Sequence, residues 1–160
     1  MKTLILYGTT YGCTKKCALK LTKYLTNDVS VLDLEGNKGI DITDYETVII
    51  GGSIRLGRMN RSVSNFCKKD LNVLLQRDIG LFICCMNEIE QAKEYLEAGF
   101  SRELQDQAIA KGYFGGELKL EGMTSFERSL LKNIVNIDNS ISLIDEDNIK
   151  NFAQIILNGA

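Results

Sequence analysis

Apolar residues fall along this chain in short continuous runs, and the runs alternate with stretches whose apolar positions recur every three or four residues. The runs are Thr3–Gly8 (TLILYG), Val29–Leu34 (VSVLDL), Thr47–Gly52 (TVIIGG) and Ile79–Cys85 (IGLFICC). Runs of this length predict strands covered on both faces, as in a parallel sheet. Ala110–Gly116 (AKGYFGG) is a weaker fifth candidate. Between them, Cys17, Leu21 and Leu25 lie four apart on one face of a first helix. Val63, Phe66, Cys67, Leu71 and Leu74 mark a second, and Ile89, Ala92 and Leu96 a third that Gly99 interrupts. The terminal stretch DEDNIKNFAQIIL opens with acids, which suit a helix N-terminus, and then sets Ile149, Phe152, Ala153 and Ile156 on one face.

Alternating strand and helix units predict an α/β fold, a doubly wound sandwich in three layers with a parallel sheet at its centre. A single domain over residues 1–160 is expected, since no repeat, linker or low-complexity tract divides the chain. Residues 117–144 stand outside the five-unit pattern and are read as an elaboration after the fifth strand. Within them Phe126, Leu130 and Leu131 predict a short amphipathic helix, capped by Thr124 or Ser125, with Glu127 and Arg128 in its first turns.

Composition narrows the function classes. The net charge is −2 and no long basic block occurs, which argues against a nucleic-acid surface. No apolar run approaches the ~20 residues of a helical membrane span. The opening MKTLILYG reaches Gly8 too soon for a signal-peptide core, so a cytoplasmic location is expected. In that setting the five cysteines are read as free thiols. They lack paired CxxC spacing, and no metal site is expected. Cys67, Cys84 and Cys85 read as core residues. Histidine is absent, which excludes a Ser-His or Cys-His hydrolase. Any chemistry then falls to a cofactor.

The stretch GTTYGCTKK, Gly8 to Lys16, comes after the first strand and leads into the first helix. Ligands of parallel sheets bind outside the carboxyl ends of the strands. Helix starts offer unpaired N–H groups and partial positive charge to an anion. Hydroxyl side chains add donors, and Gly12 allows close approach. Thr9, Thr10, Tyr11, Gly12, Cys13 and Thr14 therefore read as a cradle for one phosphate. The Walker pattern GxxxxGK[ST] and the dinucleotide pattern GxGxxG are both absent.

The spacing T-T-Y-G-C-T resembles the flavodoxin phosphate loop, T-x-T-G-x-T, with Tyr11 in place of the middle threonine. VIIGGSIRLGRMN resembles the flavin loop of the menaquinone-dependent protoporphyrinogen IX dehydrogenases and related flavodoxin-domain proteins. GYFGGELKL and FERSLLKNIV resemble the same group, so the likeness covers nearly the whole chain. It implies a five-stranded sheet of order 2-1-3-4-5 and one non-covalently bound FMN. By that resemblance a further flavin-contacting loop, Cys85, Met86, Asn87 and Glu88, follows the fourth strand. Backbone groups of Ser53, Ile54, Arg55, Leu56 and Gly57 and of Met86 and Asn87 then flank the flavin ring.

The same resemblance implies redox electron transfer with a partner protein. The alternative is quinone-linked protoporphyrinogen IX dehydrogenation, with a quinone or porphyrin as the small-molecule partner. Family enzymes carry a longer, more basic and aromatic stretch after the fifth strand, whereas here the bases are Lys119, Arg128 and Lys132, without tryptophan. Arg55, Arg58 and Arg61 fit either a solvated face or a place beside the flavin, where a cation would raise the reduction potential. No aromatic residue occurs in Ser53–Asn60 or Met86–Ile89. Cys13 stands at a helix start, where a thiolate is favoured. A phosphoacceptor receiver domain shares the topology, but Tyr7-Gly8-Thr9 and Gly51-Gly52-Ser53 lack its acidic residues.

Overall fold

The computed structural model describes residues 1–26, 28–118, 124–129 and 141–159. In chain order the elements are β1 (Lys2–Gly8), α1 (Cys13–Thr22), β2 (Asp28–Asp33), β3 (Thr47–Arg55), β4 (Arg58–Met59), α2 (Arg61–Lys69) and α3 (Leu71–Leu74). They continue with β5 (Asp78–Cys84), α4 (Ile89–Gly99), α5 (Arg102–Gln107), β6 (Ala108–Tyr113), β7 (Glu117–Leu118), β8 (Ile141–Ser142) and α6 (Glu146–Gly159). The five long strands pair in parallel in the order β2-β1-β3-β5-β6. With the short β4 set aside, this is the order 2-1-3-4-5.

Alternation along each strand divides the core between two faces. Leu4, Leu6, Val48, Ile50, Leu81 and Ile83 point to the side covered by α2 to α5, where Val63, Leu74, Ala92, Leu96 and Leu104 meet them. Ile5, Ile49 and Phe82 point to the side covered by α1 and α6, against Cys17, Leu21, Ile149, Phe152 and Ile156. Phe82 stacks on Phe114 with ring centroids 4.5 Å apart, and Phe152 meets Phe114 edge-on at 5.3 Å. Gly51 makes room for this cluster, since a Cβ there would lie 1.9 Å from the Phe82 ring.

Several boundaries differ from the sequence expectation, beginning with the first helix, which ends at Thr22, short of Leu25. The third strand runs on to Arg55, then reverses at Leu56 and Gly57 and returns as β4. Both turn residues have positive φ, 50° and 73°, the handedness that matches strand twist in a tight hairpin. The stretch Ser53–Asn60, within the segment that resembles a flavin loop, is therefore largely a hairpin, and Met59 anchors it. Its sulfur fills the space a Cβ on Gly52 would need, and its methyl the space over Gly99. The second helix breaks at Asp70, whose φ of −104° and ψ of 16° end α2 and begin α3. The fifth strand spans 108–113 rather than 110–116. Phe114 and Gly115 come next as a close connection, with Phe114 N–H donating to the Ile83 carbonyl and Cys85 N–H to that of Gly115.

In the segment after β6, residues 125–129 are helical. Thr124 and Glu127 form a reciprocal cap: Glu127 N–H donates to the Thr124 hydroxyl at 3.2 Å, and Thr124 N–H to the Glu127 carboxylate at 3.1 Å. Leu130 and Leu131 lie outside the described residues. Among the described residues no helix is long and apolar enough to cross a membrane.

Candidate functional site

At the carboxyl edge of the sheet, β1, β3 and β5 end together, and the segments beyond them enclose a cavity of about 470 Å³. That volume lies in the range of small-molecule sites, about 300–1,000 Å³. From the first loop it is lined by Thr9, Thr10, Tyr11 and Cys13, and from the β3–β4 hairpin by Ser53, Ile54, Arg55 and Leu56. Met86 and Asn87 line it after β5. Eleven residues expected from sequence thus meet here, Cys85 among them, while Glu88 does not line the wall. Gly12, Thr14 and Gly57 do not line the wall. Gly12 sits at the turn into α1, Thr14 is buried one residue inside that helix, and Gly57 is at the hairpin tip beside Tyr95.

The first loop is shaped for an anion. Gly12 adopts a φ of 92° with open space where a Cβ would stand, and its N–H donates to the Thr9 hydroxyl at 2.9 Å. The first helical hydrogen bond runs from Lys16 N–H to the Gly12 carbonyl, at 3.0 Å. The N–H groups of Cys13, Thr14 and Lys15 are consequently left without partners inside the helix, and among the described residues no side chain caps them. Thr14 adds a deficit of its own: it is 0% exposed, and among the described residues its hydroxyl has no hydrogen-bond partner. A buried, unpartnered hydroxyl is costly unless something fills its bonding capacity. On the outer side of α1, Lys15, Lys16, Lys20 and Lys23 line an open cleft that also reaches Gly12.

Beside the anion-shaped turn, the wall is held together by residues far apart in sequence. Glu127 accepts from the Tyr11 hydroxyl at 3.1 Å and pairs with the Arg55 guanidinium, which lies 5.4 Å from the centre of the Tyr11 ring. The Glu127 carboxyl is held below its ordinary value, first by the Thr124 N–H and then by Arg55 and Tyr11. Burial raises the Tyr11 phenol, and its bond to Glu127 adds to that. The thiolate-favouring position expected for Cys13 also has a structural basis. Its thiol is lowered chiefly by a hydrogen bond from the Cys17 thiol and next by one from Cys84, with burial opposing. Cys17 and Cys84 are raised by the same contacts.

Five lining residues were not anticipated as site residues: Cys84, Gly116, Glu117, Leu118 and Glu127. Gly116 is required by space, since a Cβ there would lie 2.8–2.9 Å from backbone atoms of Cys85 and Met86. The GG pair after the fifth strand was the sequence signal for it. Glu127 had a weaker one, its place in the TSFE capping pattern. Of the three arginines singled out by sequence, Arg55 lines the cavity, while Arg58 and Arg61 do not.

The family profile described as "Flavodoxin domain" matches residues 4–142. The protoporphyrinogen IX dehydrogenase [quinone] of Leishmania major is 25% identical over 145 residues, which cover 85% of this chain and 63% of that protein. The chain therefore spans less than two thirds of that relative's length. Among solved structures, oxidised flavodoxin 2 of Bacillus cereus is similar over 100% of both chains, with a TM-score of 0.63 and 19% identity. The Fusobacterium nucleatum flavodoxin bound to flavin mononucleotide gives a TM-score of 0.57 at 13% identity, over 99% of this chain and 98% of that one. At such identities the structural likeness speaks for the fold.

Proposed function

The chain belongs to the flavodoxin domain family, and we propose that it binds one FMN non-covalently in the cavity above β1, β3 and β5 and carries electrons between redox partners. The observation that carries this reading is the Thr14 hydroxyl, buried without a partner at the uncapped start of α1. A phosphate oxygen would satisfy it together with the free N–H groups of that turn. Thr9 and Thr10 add hydroxyl groups at the same loop, the latter 3.5 Å from Ser53.

Ser53–Gly57 and Met86–Asn87 would hold the ring, and when bound FMN would supply one- and two-electron transfer. Leu56, 93% exposed, gives the hairpin an apolar tip. Glu127 neutralises Arg55, so this arginine brings no net positive charge to the cavity. That pairing removes the reason for expecting Arg55 to raise the potential.

The test is FMN titration monitored by quenching of flavin fluorescence. Thr14→Val removes a hydrogen bond to a charged group, worth about 1.5–3 kcal/mol, and so weakens FMN binding roughly 10- to 100-fold. Thr14→Ser retains the hydroxyl and binds like the parent. Because the hydroxyl has no partner in the free protein, Thr14→Val leaves the melting temperature without flavin unchanged or raised. Equal FMN affinity in both variants would contradict the proposal.

A second reading is quinone-linked oxidation of protoporphyrinogen IX. The Leishmania major relative favours it, together with the absence of an aromatic side chain from Ser53–Asn60. An uncovered ring face would admit a planar substrate. Turnover of protoporphyrinogen with a menaquinone analogue would establish this reading, and its absence from the FMN-loaded protein would leave electron carriage.

A further inference from the structure

Three thiols meet behind the phosphate loop, two of them, Cys13 and Cys84, also reaching the cavity wall. Cys13 and Cys17 lie four apart on α1 and so share a face, while Cys84 ends β5. Their sulfur atoms all lie within 4.8 Å of one another, and all five cysteines of the chain are free. Cys17 and Cys84 sit in the apolar core on the α1 side of the sheet, and Cys13 is half-buried at the cavity wall. We propose that Cys13, Cys17 and Cys84 form a three-sulfur binding site for one soft, thiophilic metal ion of the Cu(I) class.

The geometry is close to what such an ion needs. Three atoms no more than 4.8 Å apart leave a central point at most about 2.8 Å from each. Metal–thiolate bonds are about 2.3 Å. Each sulfur must then move inward by roughly 0.5 Å, a displacement that small side-chain rotations supply without backbone change.

The ligand set selects the ion. All three ligands are sulfur, and thiolates favour Cu(I), zinc and iron–sulfur clusters over hard cations. Structural zinc takes four protein ligands. Here the chain has no histidine, and among the described residues no carboxylate joins the group. Three sulfurs in an apolar pocket instead complete a three-coordinate shell. Binding breaks the S–H bonds as metal–sulfur bonds form, and the protons leave to solvent. No change of oxidation state is involved. Cys13 at the cavity wall gives the ion an entry path in the flavin-free protein.

The experiment uses the full chain, reduced and under anaerobic conditions, titrated against Cu(I) held by a coloured chelator. A flavin spectrum recorded on the same sample keeps failure of metal binding distinct from failure of FMN binding. One equivalent of Cu(I) is expected to pass to the protein. The affinity should fall more than about 100-fold in Cys13→Ser and in Cys84→Ala, since even an outer-shell partner is worth about 10- to 100-fold. Cys67→Ser, altered at a thiol outside the cluster, should bind like the parent.

Cys13 is half-buried, so its variant is the one expected to fold, and circular dichroism checks this. X-ray absorption of the loaded parent gives a result independent of any variant, with a shell of three sulfurs expected. Parent-like binding in folded Cys13→Ser would overturn the proposal. So would nitrogen or oxygen ligands in the absorption spectrum, or stoichiometric zinc uptake without Cu(I) uptake.

Discussion

Replacing Gly116 by alanine tests how tightly the floor of the cavity is built. The φ of Gly116 is outside the left-handed region, so the substitution carries no intrinsic backbone strain. Its cost is steric. The new Cβ would lie 2.8 Å from the carbonyl carbon of Cys85, 2.9 Å from its oxygen and 2.9 Å from Met86 N. These are backbone atoms and cannot rotate away. A normal contact needs roughly 0.5 Å more, comparable to an inserted methyl in a filled core, which costs about 1–3 kcal/mol.

Relaxation is restrained on both sides of that contact. Gly115 accepts from Cys85 N–H at 3.0 Å, and Gly116 accepts from Leu143 N–H at 2.8 Å. Moving residue 116 strains both bonds, each worth about 0.5–1.5 kcal/mol. For a domain of this length, about 2–4 °C of melting temperature is lost per kcal/mol. Gly116→Ala should therefore melt about 2–12 °C lower by calorimetry. It should also bind FMN more weakly, because Met86 and Asn87 are displaced with Cys85. Gly159→Ala is the control, since its Cβ would meet Ile109 at an ordinary 3.6 Å and its melting temperature should hold. A parent-like melting temperature for Gly116→Ala would refute the steric reasoning. A lowered melting temperature with parent-like FMN affinity would remove the Met86–Asn87 segment from the binding face.

Other substitutions separate core from site. Phe114→Ala removes the ring that stacks on Phe82 and meets Phe152, and should cost about 3–5 kcal/mol in urea denaturation, the usual range for buried aromatics. A loss below about 1 kcal/mol would mean the cluster collapses to fill the gap. Glu127→Gln leaves Arg55 without its anionic partner, adding one net positive charge at the cavity. A spectroelectrochemical titration of the FMN-loaded variant should give a midpoint potential above that of the parent, because a cation favours the anionic reduced form. A lower or unchanged potential would place Arg55 away from the ring.

Much of the fold was legible because β1, β3 and β5 are buried on both faces and read as unbroken apolar runs. The helices facing them kept a clear period, as at Ile149, Phe152, Ala153 and Ile156. The hairpin after β3 was not legible. Its turn is Leu56-Gly57 rather than Asn-Gly or Asp-Gly, and a leucine at positive φ carries no sequence signal. The break at Asp70 escaped as well, because Leu71 and Leu74 continue the apolar period across it. Site residues were legible where one loop holds several of them, as in Thr9–Thr14. They were illegible where the sheet unites distant residues. Tyr11 and Glu127 are 116 residues apart in sequence. Cys84 reaches Cys13 and Cys17 only through the pairing of β5 with β3 and of β3 with β1, so spacing alone gave no hint of three adjacent sulfurs.

The visible absorption spectrum of the purified protein, before and after adding FMN, bears most directly on the whole account. Flavin bands that co-elute with the protein, or that shift and sharpen as FMN is added to one equivalent, are the predicted result. A colourless protein that leaves the spectrum of added FMN unperturbed would contradict it, and the loop from Thr9 to Thr14 would then do no more than turn the chain into α1.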